Sequence, residues 1–326
     1  MIRSVPQLVS VAAIVIGIAL FILTLFYIDL DETMASASRL GLALPVILLP
    51  GACWQLLRTW GWAISFPEAV RPPFTRLFRV RLAADAIGFF TVRGLAGEPL
   101  KVVLLYDRVA PEVTTAAVAL ERLAFAVVGI LIAFFISFAA LTSLSMPGAW
   151  DTVFTLLMIG AVVVLAALWA MARRRTGDYL GRFVGLIERL TGRRLASSRV
   201  IKFILDVEDV LLDLLRGGQH RLVTLTGLAV VCYALMTLEV WLVFWAVGES
   251  IGLIEALAVE TFARLASVAS AAVPGNIGTL EASNAAVVAA LGLGGGGALA
   301  LARRIRALLW AAVGLALYPR IHERRQ

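Results

Sequence analysis

Arg264 to Glu281 reads RLASVASAAVPGNIGTLE, and the fold turns on how that stretch is read. A charged residue opens it, an apolar run follows, and Pro274-Gly275-Asn276-Ile277-Gly278 interrupts any helix before Glu281 closes it. Proline costs a helix interior roughly 3 kcal/mol and glycine roughly 1 kcal/mol. An apolar segment broken in this way exposes backbone groups that lipid cannot satisfy. Such backbone persists at membrane depth only where protein buries it or where it lines a wet cavity.

An earlier stretch echoes it. Arg81-Leu82-Ala83 matches Arg264-Leu265-Ala266, and Glu98 follows Arg81 at the spacing by which Glu281 follows Arg264. The first copy also ends in a broken run, Gly94-Leu95-Ala96-Gly97-Glu98-Pro99. Paired, interrupted apolar segments in the two halves of a chain point to a transporter's binding site.

Composition sets the class. Apolar residues make up 61% of the chain and mean hydropathy is +0.92, against about 45–50% apolar in soluble domains. So many long apolar runs specify an all-α polytopic membrane protein. The net charge of +7 is then expected in cytoplasmic loops, with no nucleic acid implied. Cys53 and Cys232 fall in predicted spans, and His220 and His322 are isolated, so no metal site or disulfide framework is expected. P-loop, HExxH, Gly-x-Ser-x-Gly and dinucleotide motifs do not occur, and no cofactor is expected.

Hydropathy and basic-loop bias give a topology. Leu8 to Ile28 reads as an uncleaved first span, and Leu40 to Gln55 returns, bent by Pro45 and Pro50. Thr114 to Leu141 and Val153 to Met171 form the next pair, ending on Arg173-Arg174-Arg175. Residues 172–221 read as a cytoplasmic amphipathic connector, with apolar residues such as Val207, Val210, Leu211 and Leu214 at helical spacing. Leu222 to Val247 and Leu299 to Tyr318 complete about six full spans, with GLGGGGA at 292–298 as a flexible joint.

Two re-entrant hairpins are added, residues 74–111 in the first membrane half (1–171) and 252–295 in the second (222–326). Basic flanks place the first on the cytoplasmic side and the second on the outer side, as an inverted repeat requires. Both termini are expected in the cytoplasm.

Charge inside a span costs about 2.5–3.5 kcal/mol on insertion scales, so such residues face the bundle interior or water. Glu121 and Arg122 follow the first unit, and Arg303, Arg304 and Arg306 stand in the corresponding place after the second. Arginines of both halves are therefore expected to converge on a cavity that takes a charged headgroup. Guanidinium forks match phosphate, and Gly-rich turns offer further donors. Arg81, Arg122, Arg264 and Arg304 are the expected phosphate ligands, with Lys101, Glu121, Asn276 and Arg303 beside them. Glu98 and Glu281 would orient the arginines or recognise a cationic headgroup. In the competing reading, Arg81 pairs with Glu98 and Arg264 with Glu281, merely pinning the hairpins. Arg306 is expected to snorkel or pack, Glu239 and Glu260 are weaker candidates, and the tryptophans are expected to anchor or pack.

The run Pro274 to Glu281, the alanine-rich stretch and Gly-rich joint after it, and Arg303-Arg304 resemble the lysylphosphatidylglycerol synthase transmembrane-region family. Arg81, Gly97-Glu98 with Lys101, and Glu121-Arg122 match its first motif, except that Thr91-Val92-Arg93 stands where the family has a proline. The resemblance covers nearly the whole chain and extends to flippase-like domains of bacterial multiple-peptide-resistance factors. The aminoacyltransferase domain of those factors is expected to be missing. The resemblance implies a lipid translocase of the bacterial inner membrane, with a membrane lipid as substrate and with lipid-synthesis enzymes or a second copy of the chain as candidate partners. A membrane transferase acting on a lipid or lipid-linked sugar, and a non-catalytic scaffold for lipid synthesis, are the alternatives.

Overall fold

Prolines and glycines set the ends of the helices. Pro72-Pro73 holds the chain extended before Phe74, and Ala110, extended ahead of Pro111, starts the longest helix with proline at its first position. The computed structural model describes residues 40–91, 97–144, 146–173, 199–216, 218–269 and 279–319. Among these residues are ten α-helices and no strand. The first four are α1 (Leu44–Ser65), α2 (Phe74–Phe90), α3 (Gly97–Leu105) and α4 (Pro111–Ser143). The helices α5 (Gly148–Arg173) and α6 (Arg199–Arg216) come next. The last four are α7 (Gln219–Ala246), α8 (Leu253–Ala269), α9 (Thr279–Ala290) and α10 (Gly296–Ala316).

Three of these helices, α4, α5 and α7, are long and apolar enough to cross a membrane. Helices α1 and α10 fall below that mark because each turns a polar, arginine-bearing face inward, toward the cavity described below. The outer face of α5 is a continuous apolar surface, with Leu156, Val163 and Trp169 exposed, as lipid contact requires. The expected first span, Leu8 to Ile28, and the helical spacing at Phe183 to Leu190 lie outside the described residues, as do the Pro274–Gly278 break and Asn276.

The interrupted segments are each two helices. Helix α2 packs on α3, and α8 packs on α9. A Cβ on Gly97 would stand 2.8 Å from the Ala84 carbonyl oxygen, so glycine is what lets α3 start hard against α2. Ser283 Oγ donates to the Phe262 carbonyl at 3.5 Å across the second pair.

Helix pairing has a twofold pattern. Exchange α1 with α7, α2 with α8, α3 with α9 and α4 with α10, and each substantially packed pair among these eight maps onto another. Helix α1 lies on α7. Helix α2 lies on α10, the last of the second four helices, and α8 lies on α4, the last of the first four. The cores follow the same division. Trp62, Phe66, Leu77, Val80, Leu104 and Ala117 form one in α1–α4, and Val243, Phe244, Val259, Val287 and Leu299 of α7–α10 anchor the other, joined by Ile47 of α1. Where α10 crosses α2, Gly314 sits so near the Leu82 carbonyl that an added Cβ would meet that oxygen at 2.2 Å.

Helix α6 stands outside this pattern. Its apolar stripe, Val207, Val210, Leu211, Leu214 and Leu215, packs against Ala116 and Leu120 of α4 and Leu225 of α7. Burial against protein thus takes up a face whose spacing alone suggested a membrane-surface helix.

The glycine joint of 292–298 is a defined turn. Gly292 and Gly295 adopt φ of +71° and +78°, the left-handed region that glycine enters without a steric penalty. The Gly294 N–H donates to Glu249 Oε2 at 3.3 Å. Glu249 belongs to the turn after α7, which ends at Gly248 with φ +80° and a Glu249 N–H to Phe244 carbonyl bond of 3.0 Å.

Candidate functional site

Three helix faces place charge at one cavity. On α2, Arg81, Ala84, Asp85 and Gly88 recur at three- and four-residue spacing and share one side. The close start of α3 brings Glu98 and Lys101 to them. On α10, Arg303, Arg304, Arg306, Ala307, Trp310 and Ala311 share a face. Helix α1 adds Trp54, Gln55 and Arg58, helix α4 adds Arg122, helix α8 adds Arg264 and Ser267, and helix α9 adds Leu280 and Asn284. The cavity volume is about 360 Å³, within the range of small-ligand sites. Eight cationic side chains and two carboxylates line it.

In the first half, Glu121 of α4 is the hub. It accepts two bonds from Arg58, Nε to Oε1 at 2.5 Å and Nη2 to Oε2 at 2.9 Å. Arg81 approaches the same carboxylate at 3.5 Å and Asp85 at 3.4 Å. Lys101 lies 3.4 Å from Asp85 and 3.3 Å from Glu98, and Arg122 bonds Glu98. The Arg58 guanidinium also covers the Phe125 ring at 4.1 Å, and it shares Trp54 with Arg81 at 5.3 and 5.6 Å.

In the second half, Glu260 of α8 is the hub. Its two oxygens accept from Arg264 Nε and Arg303 Nη2, each at 2.7 Å. Arg303 Nη1 donates to Asn284 Oδ1 at 2.6 Å, and Arg264 lies 4.0 Å over the Tyr233 ring. Glu239 of α7 accepts from Arg306, whose stem passes Gly51 of α1 so closely that a Cβ there would sit 2.7 Å from it.

The two halves carry one device with its signs exchanged. Arg58 of α1 holds Glu121 of α4, and at the matching place Glu239 of α7 holds Arg306 of α10. Arg58 and Glu239 each lie seven residues before the end of their helix. Each pair joins the first helix of its set of four, α1 or α7, to the fourth, α4 or α10.

The cavity therefore brings together Arg81, Glu98, Lys101, Arg122, Arg264, Arg303 and Arg304, seven residues expected from sequence. Glu121 lies behind the wall, 3% exposed, and acts through Arg58 and Arg81. The backbone of Glu281 opens α9, while its side chain and Asn276 lie outside the described residues. Arg81 and Glu98 do not form the simple pair weighed above. Arg81 is shared by Asp85 and Glu121, and Glu98 by Lys101 and Arg122. Arg306, expected to snorkel or pack, reaches the cavity and pairs with Glu239.

Sequence reasoning missed Arg58, Asp85, Gln55 and Asn284. Only Asp85 and Asn284 carried a usable signal, one turn after Arg81 and three residues after Glu281. Several buried polar atoms of the lining have no hydrogen-bond partner among the described residues. These are Trp54 Nε1, Trp310 Nε1, Gln55 Oε1 and Asn284 Nδ2. Asn284 is 1% exposed, and its amide nitrogen faces no acceptor among the described residues.

The family described as lysylphosphatidylglycerol synthase TM region matches residues 11–316. No curated protein and no solved structure matches the chain.

Proposed function

The chain belongs to the lysylphosphatidylglycerol synthase transmembrane-region family, and from that membership and the cavity we propose that it moves a polar or charged lipid headgroup between leaflets. The headgroup enters the cavity between the halves while the acyl chains stay in the bilayer. Arg81 and Arg122 from one half, with Arg264 and Arg304 from the other, take the phosphate by charge-assisted bonds. Glu98 and Glu281 orient them.

The hairpins α2–α3 and α8–α9 enter from opposite faces, as an inverted repeat, and their alternating exposure carries the headgroup across. The protein sits in the bacterial inner membrane with both termini in the cytoplasm. One observation carries this reading: both halves contribute arginines to a single cavity. An apolar bilayer tolerates such a cluster only around water or a ligand.

The test is lipid transfer in vesicles holding the purified protein and a headgroup-labelled phospholipid, read by quenching of the outer leaflet. Arg264→Gln and Glu281→Gln should each reduce transfer to the rate of empty vesicles at unchanged expression. Full activity in both variants rejects the assignment.

A further inference from the structure

The cavity carries more positive charge than its own acids can balance. Its lining holds eight cations against Asp85 and Glu98. Glu121, Glu239 and Glu260 stand behind Arg58, Arg306 and Arg303 and raise the acids to five. Counting Glu281, whose backbone opens α9, makes six, and an excess of two positive charges remains. The acids are also shared. Glu121 serves Arg58 and Arg81, and Glu260 serves Arg264 and Arg303. Arg81, Lys101, Arg303 and Arg304 are buried, whereas Arg122 is half exposed; excess buried charge is costly, and the cost is relieved by an ion of opposite sign.

Among the neutral groups, donors outnumber acceptors three to one, the one acceptor being Gln55 Oε1. Asn284 Nδ2, Trp54 Nε1 and Trp310 Nε1 are buried donors at the cavity without an acceptor among the described residues. Three donors and an excess of cations match a group rich in acceptor oxygens. They do not match an ammonium group, which brings donors and positive charge of its own.

We propose that the cavity selects a headgroup bearing two or more negative charges, of the phosphomonoester or diphosphate class, and rejects an aminoacylated, cationic one. This rests on the translocation reading for its route but not for its chemistry. Arg81, Lys101 and Arg264 supply the charge that discriminates, and Asn284 donates to a phosphate oxygen.

Binding and transfer test it separately, with the full chain in nanodiscs and in vesicles. Short-chain phosphatidic acid, phosphatidylglycerol and lysylphosphatidylglycerol compete for the protein, with inorganic pyrophosphate as the free-anion arm. Phosphatidic acid should bind at least tenfold tighter than phosphatidylglycerol, about 1.4 kcal/mol, and lysylphosphatidylglycerol should bind weakest. Asn284→Asp, which adds a negative charge, should erase most of that tenfold, whereas Arg264→Lys, which keeps the charge, should retain it.

Pyrophosphate competing as well as the lipid would support the anion chemistry and name the free ion as its source. Equal or tighter binding of lysylphosphatidylglycerol overturns the inference, even if lipids still move in vesicles. Absence of transfer for all three lipids, with the binding order intact, overturns the translocation reading alone.

Discussion

Removing the Glu121 charge should cost the protein much of its stability. Glu121 and Arg58 are 4% and 13% exposed at the side chain and meet through two parallel bonds. Breaking a buried pair by removing one partner costs about 3–5 kcal/mol, because the other charge is stranded. Two features soften the loss. Arg58 keeps its place over Phe125 at 4.1 Å, an interaction of about 0.5–2 kcal/mol, and Arg81 keeps Asp85 at 3.4 Å. Glu121→Gln is therefore expected at the low end, about 3 kcal/mol.

Arg58→Met leaves Glu121 with Arg81 and should cost somewhat less. Arg58→Met with Glu121→Gln removes both charges of the pair and should recover about 2 kcal/mol relative to the sum of the two single changes. The assay is equilibrium unfolding in mixed detergent micelles, followed by intrinsic tryptophan fluorescence, to which Trp54, Trp60 and Trp62 on the helix of Arg58 contribute. A Glu121→Gln cost below about 0.5 kcal/mol, or single changes that simply add, would refute the argument.

Three further outcomes follow from the packing. Glu239→Gln strands Arg306 as Glu121→Gln strands Arg58, and should cost about the same 3 kcal/mol in the same unfolding assay. Gly314→Ala drives a Cβ onto the Leu82 carbonyl and should destabilise by about 2 kcal/mol, whereas Gly129→Ala, with nothing nearer than 3.8 Å, should be neutral or stabilising by up to about 1 kcal/mol. Cys53 is exposed and Cys232 buried, so N-ethylmaleimide in mild detergent should modify Cys53 alone until the protein unfolds, as mass spectrometry of peptides reports.

The repeat was legible because Arg81-Leu82-Ala83 and Arg264-Leu265-Ala266 survive as identities, and because proline and glycine mark the breaks after them. That much led to the helix pairs and to most of the cationic lining. The pins were not legible. Arg58 and Glu239 occupy matching places with opposite charge, so a search for like residues passes over them. Glu260, one turn before Arg264, was visible as a helical neighbour, but its second bond, to Arg303 on another helix, was not. Connector periodicity gave α6 its apolar face without saying what covers it. Helix α4 and helix α7 both offer small and aliphatic side chains there, and only tertiary packing chooses between them and lipid.

The exchanged packing, α2 upon α10 and α8 upon α4, has a consequence for biogenesis. Synthesis runs from the amino end, so α2 leaves the ribosome long before the helix that will cover it exists. The early segments must wait, the apolar side of α2 at Ala86 and Phe90 uncovered, in the keeping of the insertion machinery. Chains halted before α10 would then be cleared by quality-control proteases instead of accumulating as a stable half.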